Sequence, residues 1–431
     1  MNASISPTPR KTAIGWSLYD WANSAYATII LTFVYSVFFS KTIIGDDVTG
    51  GAYWSYAIAI SGVLIALSAP ILGAVADYAG HTKKWIGFFT LVCAMGTAGL
   101  YIGKPDAGST LVFLILLLVV ISTTALELAL VFYNALLPRI APPTHIGRIS
   151  GWAWACGYIG GLLALGLCLY LLTGLGERLS PLLDIPADQD QNIRASAILT
   201  ALWFLIFSIP FFIFVPETKP VSKSLRQAIG DGLRDLKVTF ASFRKSKNIM
   251  TFLIASALYR DGLATLFALG GIYAATTYDM SFTDILIFAV GLNMTAGLGA
   301  FGFSFLDDAI GSKKTVIYSL SCLILSGVVV LFAPSKSAFL ITSLFLGLFV
   351  GPVQAASRTL AGRLAPVREE TKIYGFYALT GKSIAFLGPL SYGFFSTLFQ
   401  TQKAGLVSIL LFWSAGLVLM YFVRETKSDA Y

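Results

Sequence analysis

The chain has 431 residues, of which 56% are hydrophobic and only 12% are charged, about half of the roughly 25% charged residues in an ordinary soluble domain. That composition excludes a soluble fold. The net charge of +8, from 30 Lys and Arg against 22 Asp and Glu, therefore bears on membrane orientation and gives no ground for nucleic-acid binding. The four cysteines, Cys93, Cys156, Cys168 and Cys322, all fall in apolar runs without metal-ligand spacing, and are expected to pack between helices.

Apolar runs of about twenty residues, the length that crosses the hydrocarbon core, recur along the chain. In chain order they start near Ile14, Ala52, Lys84, Thr110, Arg148, Arg194, Asn248, Phe282, Lys314, Ser337, Ile373 and Ala404. Twelve such runs predict an all-α polytopic membrane protein with twelve transmembrane helices. The first run is too long and too aromatic for a cleaved signal, so the N-terminus is expected to be retained. An even number of spans puts both termini on one side. If that side is the cytoplasm it receives 21 of the 30 Lys and Arg, against six on the other side, as cytoplasmic loops require.

The longest connection, Pro216 to Lys247, carries eight basic residues. Its Leu225, Ile229, Leu233, Leu236 and Phe240 recur at helical spacing and predict an amphipathic helix on the inner membrane surface. The expected organisation is a six-helix bundle over 1–215, a basic linker over 216–247 and a second six-helix bundle over 248–431.

The two halves repeat each other. Gly73, Asp77, Gly80, Lys83 and Lys84 after span 2 are echoed, 231 residues on, by Asp308, Gly311, Lys313 and Lys314 after span 8. Arg139-Ile-Ala-Pro142 returns as Arg363-Leu-Ala-Pro366, and Gly151 and Gly157 return as Gly375 and Gly381, all at an offset of 224. Phe214-Val-Pro-Glu217-Thr-Lys219 returns as Phe422-Val-Arg-Glu425-Thr-Lys427 at an offset of 208, and Tyr19-Asp20 resembles Tyr259-Arg260-Asp261 near an offset of 240. Matches in one consistent order indicate two parallel copies of a six-span unit.

This pattern resembles the major facilitator superfamily. Gly73 to Lys84 is similar to its loop between helices 2 and 3, and Pro216-Glu-Thr-Lys219 to its end of helix 6; Ser304 stands where the second copy of the loop would have its first glycine. Within the superfamily, Trp16-Ser-Leu-Tyr-Asp20-Trp-Ala-Asn23, Tyr133-Asn134 with Pro138, Gln354-Ala-Ala-Ser-Arg358, and Gly375 to Pro389 with Gly381-Lys382 resemble the UMF group. That group is related to the fungal vacuole effluxers implicated in releasing amino acids during autophagy. The resemblance implies two pseudo-symmetric halves around a central cavity lined by helices 1, 4, 7 and 10. It also implies a gate in which loop charges pair across the halves when the molecule is open outward, with Gly73, Asp77, Gly80, Lys83, Lys84, Asp308, Gly311 and Lys313 as the candidates.

A charge at the bilayer centre costs at least ~2.5 to 3.5 kcal/mol, so each intramembrane ionisable residue is a candidate for function. Six qualify: Asp20, Glu127, Arg260, Asp261, Arg358 and Lys382. Glu127, among Leu126, Leu128 and Leu130, is the expected coupling carboxylate; the alternative is an ion pair with Lys382 or an arginine. Arg358 and Lys382 suit an anionic group on the solute, although Arg358 is also placed to reach the headgroups. Asp20 and Arg260 can equally be structural ion pairs fastening the halves. Asn23, Asn134 and Gln354 are the preferred hydrogen-bonding groups, with Tyr19, Trp21, Tyr26, Tyr133, Tyr259 and Asn293 as further lining candidates or packing residues.

No enzymatic signature emerges. His81 and His145 are the only histidines, and neither a zinc-protease, Walker A nor dinucleotide motif is present, so no cofactor or metal is expected. The expected activity is secondary active transport of a small organic solute, amino acids first, in exchange for or together with a proton or other coupling ion. The expected setting is a monomer in the plasma (inner) membrane, with both termini cytoplasmic and lipid as the surrounding partner. A lipid flippase on the same fold and a non-transporting receptor are the alternatives.

Overall fold

A computed structural model describes residues 9–105, 107–172, 182–183, 185–186, 188–218, 246–280, 282–366 and 369–425, together with 224, 226–227, 229–232 and 234. Among these, eleven helices are long and apolar enough to cross a membrane. In chain order, span 1 is Arg10–Ile44, span 2 Asp47–Ala79, span 3 Thr82–Gly99, span 4 Ser109–Ile140, span 5 Ile146–Leu172 and span 6 Gln191–Phe214. The second half continues with span 7 Lys247–Tyr278, span 8 Phe282–Ile310, span 9 Ser312–Leu331, span 10 Lys336–Leu364 and span 12 Gln402–Phe422.

The run expected from Ile373 is span 11, but it is broken into Glu370–Ile384 and Leu387–Phe399. Among the described residues the twelve expected spans are therefore eleven long helices and one span in two pieces. The reason is local. Pro389 lacks the N–H that would bond to the Ala385 carbonyl, and its ring excludes that carbonyl. The Gly388 N–H turns instead to Asp261 Oδ2 on span 7, at 2.7 Å. Hydropathy does not register such a break because both pieces are apolar.

The packing repeats six spans apart. Span 1 lies against 5 and 6, as span 7 lies against 11 and 12; span 3 packs on 4 and 6, as 9 packs on 10 and 12; span 2 lies on 4, as 8 lies on 10. The halves meet where span 5 runs along span 8 and span 11 along span 2. Small residues permit this close meeting. A Cβ on Gly73 would stand 2.8 Å from the Thr371 carbonyl, and one on Gly375 2.8 Å from the Ala69 carbonyl. Large apolar side chains such as Met95, Phe113, Ile213, Leu325 and Phe422 point outward, as the lipid-facing surface of a multi-pass membrane protein must.

The amphipathic helix expected around Leu225 to Phe240 falls largely outside the described residues, as do Leu225, Leu233, Leu236 and Phe240 themselves. Residues 226–227, 229–232 and 234 are helical, and Gly232 packs on the backbone of Ala74 and Val75 in span 2. Lys219 and Lys427 also fall outside the described residues.

Candidate functional site

Between the halves lies a cavity of about 490 Å³, and all six intramembrane ionisable residues line it. Span 1 reaches it as an α-helix to Ala25 and then widens into π-type turns from Tyr26. Ser24 and Thr28 bond back to the carbonyls of Asp20 and Ser24, at 2.6 and 2.9 Å. Such widened turns are frequent at functional sites. The wall continues with Asn134 on span 4, Trp154, Gly157 and Tyr158 on span 5, Asn293 on span 8, Gln354 on span 10 and Tyr374, Tyr377 and Gly381 on span 11.

Two ion pairs cross from one half to the other here. Arg358 Nη1 donates to Asp20 Oδ2 at 2.7 Å, while Nε and Nη2 donate to the hydroxyl and carbonyl of Ser150 at 3.0 and 2.6 Å. Its guanidinium lies 4.8 Å from the centre of the Trp16 ring. Arg358 is 4% exposed, so it does not reach the headgroups as the sequence also allowed; Asp20 holds it in the core. Lys382 Nζ donates to Glu127 Oε1 at 2.8 Å, with about a third of each side chain exposed to the cavity. Arg358 and Lys382, the expected holders of an anionic group, are thus each paired with a carboxylate, and for Lys382 that partner is the alternative ion pair with Glu127.

The other charged pair of neighbours behaves differently. Asp261 is 3% exposed, and its Oδ2 caps the second piece of span 11 through Gly388, while Oδ1 has no hydrogen-bond partner. Arg260 lies with its guanidinium 3.9 Å from the Tyr377 ring centre and donates from Nη1 to the Tyr377 carbonyl at 3.3 Å. It has no carboxylate partner among the described residues.

Among the neutral candidates, Asn23 Nδ2 is committed to the Tyr19 carbonyl at 2.7 Å, and Gln354 Nε2 to the Tyr158 hydroxyl at 2.9 Å across the halves. Asn134 Oδ1 and Trp154 Nε1 are buried without hydrogen-bond partners among the described residues. Tyr19, Tyr26, Tyr133 and Tyr259 are fully buried packing residues; Tyr19 and Tyr133 stack with Trp16 and Phe211 inside the first half. Sequence reading missed Trp154, Tyr158, Tyr374 and Tyr377. The only signal for them was their place near the noted glycines of spans 5 and 11.

At the end of the bundle that carries Pro9 and Glu425, the terminal end, charge pairs again cross the halves. Arg139 Nη2 bonds to Glu370 Oε2 at 2.8 Å and lies 3.4 Å from Asp77 Oδ1, whose Oδ2 accepts from the Lys372 N–H at 3.2 Å. The second copy does the same in reverse: Asp308 Oδ1 accepts from the Gly147 and Arg148 N–H groups at 2.8 and 3.2 Å, and Arg148 Nε lies 3.4 Å from Asp308 Oδ2.

Asp77 and Asp308 thus occupy bridging positions. Lys83 and Lys313 do not. Lys83 Nζ donates to the Phe212 and Val215 carbonyls of its own half, and Lys313 Nζ to that of Tyr421. Lys84 is exposed. Gly80 and Gly311 turn the chain with positive φ, 61° and 95°, which an L side chain adopts only with strain. The N–H groups that follow, of Lys83 in one copy and of Ser312 and Lys313 in the other, are capped by Glu217 and Glu425.

Comparison with known proteins agrees with this geometry. The chain matches the family described as "Vacuole effluxer Atg22 like" over residues 8–430. It is 27% identical over 418 residues to "Uncharacterized MFS-type transporter YxiO" of Bacillus subtilis (strain 168), covering 96% of this chain and 95% of that protein. It is 26% identical over 329 residues to "Autophagy-related protein 22-1" of Aspergillus fumigatus, covering 67% of this chain but 52% of that protein, so it spans about half of the fungal relative.

In fold it is similar to the proton:xylose symporter XylE, with a TM-score of 0.73 at 12% identity and 96% of each chain covered. It is equally similar to the human organic anion transporter MFSD10, at 0.73 and 14% identity, covering 96% of this chain and 100% of that one. The chain is a membrane transporter of the major facilitator type and belongs to the Atg22-like vacuole effluxer family.

Proposed function

We propose that the protein is a secondary active transporter that moves a small organic solute, amino acids first, by rocking its two halves around the central cavity. The observation that carries this reading is a midplane cavity of about 490 Å³ lined by ionisable groups from both halves, a size suited to one small solute. Bridging pairs Arg139–Glu370 and Arg148–Asp308 hold the halves together at the terminal end, and the cavity reaches toward the other side along Phe33, Leu162 and Phe267. Pairs at one end and a cavity reaching the other are what alternating access needs in one of its two states. By the distribution of Lys and Arg, the terminal end faces the cytoplasm of the inner membrane. A reporter fused at Gln227 is expected to read cytoplasmic.

Coupling to protons is assigned to Glu127. Its partner Lys382 lies on the other half, so a proton taken up by the carboxylate dissolves a bond between the halves and its loss restores that bond. In proteoliposomes, Glu127→Gln is expected to abolish pH-driven accumulation of a radiolabelled amino acid while leaving solute-for-solute exchange largely intact. Because a third of each partner is exposed, the stability cost is expected to be only about 1 kcal/mol. Unchanged pH-driven uptake would remove Glu127 from the coupling role, and joint loss of both activities would make the pair structural. Solute binding without flux under any gradient would favour a receptor.

A further inference from the structure

The repeat makes Arg260 stand out. At the offset of 240 it is the counterpart of Asp20, and at the offset of 224 Asn134 is the counterpart of Arg358. The local surroundings agree: Gly157 abuts Asp20 and Ser24, and its counterpart Gly381 abuts Arg260. One copy of the arrangement is a closed ion pair, Asp20–Arg358, at 2.7 Å. The other copy has a cation on span 7 and an amide on span 4. Among the described residues Arg260 has no carboxylate partner, and the buried Asn134 Oδ1 has no hydrogen-bond partner. Both line the same cavity.

An arginine in the middle of a membrane protein without a counter-charge is costly. Tyr377 offsets part of that cost, its ring 3.9 Å beneath the guanidinium, but a ring face supplies no negative charge. Asp261 balances the formal charge of the cavity wall, but Glu127 is bonded to Lys382 and no carboxylate among the described residues bonds to Arg260. Asp261, next in sequence, also lines the cavity, but its Oδ2 is committed to the Gly388 N–H and it makes no ion pair with Arg260 among the described residues.

We infer that the solute supplies the anion that bonds to Arg260: the cavity takes an organic molecule bearing an oxyanion, carboxylate or phosphate monoester, which pairs with Arg260 as Asp20 pairs with Arg358. Arg260 holds the anion through the N–H groups left free by its single bond to Tyr377, and Asn134 Oδ1 accepts a hydrogen bond from a donor on the same solute. This deepens the transporter reading, on which it rests, by naming the chemical class of the cargo and the residue that selects it.

The test uses four probes with one branched apolar tail: 4-methylpentanoate, isopentyl phosphate, 4-methylpentanamide and isopentylamine. On the purified full chain, thermal shift and equilibrium dialysis are expected to detect at least one of the two anions, and neither the amide nor the amine. Whichever anion binds decides between carboxylate and phosphate. Arg260→Gln is expected to weaken that binding at least about tenfold, and Arg260→Lys less, since a charge remains but the fork does not. Asn134→Asp, which builds the missing carboxylate into the protein, is expected to raise the melting temperature and to abolish anion binding.

Binding of the amide as tight as that of the anions, failure of both anions to bind at about 10 mM, or undiminished anion binding in Arg260→Gln or Asn134→Asp would each overturn the inference. Anion binding that depends on Arg260 but is accompanied by no flux sinks the transporter reading and leaves this one standing.

Discussion

Replacing Arg358 with alanine is expected to destabilise the protein by about 3 to 5 kcal/mol, the usual penalty for breaking a buried ion pair from one side. The side chain is 4% exposed and satisfies three acceptors, Asp20 and both oxygens of Ser150. Its removal strands the Asp20 carboxylate in the core and unfastens span 10 from spans 1 and 5. Asp20→Asn is expected to destabilise from the other side by leaving the guanidinium uncompensated.

The double variant Asp20→Asn/Arg358→Ala is expected to fall short of the sum of the two single losses, since neither charge is then left alone. Thermal unfolding in detergent measures all three. An Arg358→Ala protein that melts with the wild type would mean that the pair contributes nothing, and the halves would have to be held by the glycine seams and the other cross-half pairs.

Removing both terminal-end arginines, Arg139→Ala with Arg148→Ala, is expected to favour the state open at that end. Each arginine is about 30% exposed, so each bridge is discounted to about 1 kcal/mol. Together, about 2 kcal/mol amounts to roughly a thirtyfold change in the population ratio. A cysteine placed at Ser304, which is buried against Gly151 between spans 8 and 5, is expected to react with maleimide faster in the double variant, in a background without the native cysteines. An unchanged rate would show that the bridges decorate the closed end without holding it.

Much of this architecture was legible before any coordinates. Hydropathy located the spans, and the falling offsets between the copies matched residues that later proved to do equivalent work: Asp77 with Asp308, and Glu217 with Glu425. The six intramembrane charges were legible too, because charge in an apolar run is conspicuous. The sequence offered the pairing of Glu127 with Lys382 as an alternative, but not that of Asp20 with Arg358. Asp20 and Arg358 lie on different halves and meet only through the stacking of span 5 on span 8. Likewise Arg139 and Arg148 looked like loop residues obeying positive-inside bias, when their partners Glu370 and Asp308 lie across the interface.

The break in span 11 had its signal in Gly388-Pro389, but a proline alone does not tell a kink from a stop. Asp261 capping Gly388 from span 7 supplies the tertiary half of that information. Trp154 and Tyr158 could not be told from packing aromatics, since which face of span 5 meets the cavity depends on how closely Gly157, Gly160 and Gly161 let it approach span 1.

Alternating access is tested most directly by measuring two distances in the same reconstituted protein. Spin labels at Thr144 and Lys314 report separation of the halves at the terminal end, and labels at Ser109 and Ser337 report it at the opposite end; each of the four sites is exposed, so a label disturbs no packing. Rocking of two rigid halves requires opposite changes: when solute or a pH step alters the populations, the Thr144–Lys314 distance lengthens as the Ser109–Ser337 distance shortens. Two distances that stay fixed under every gradient and solute, or that lengthen and shorten together, would contradict it.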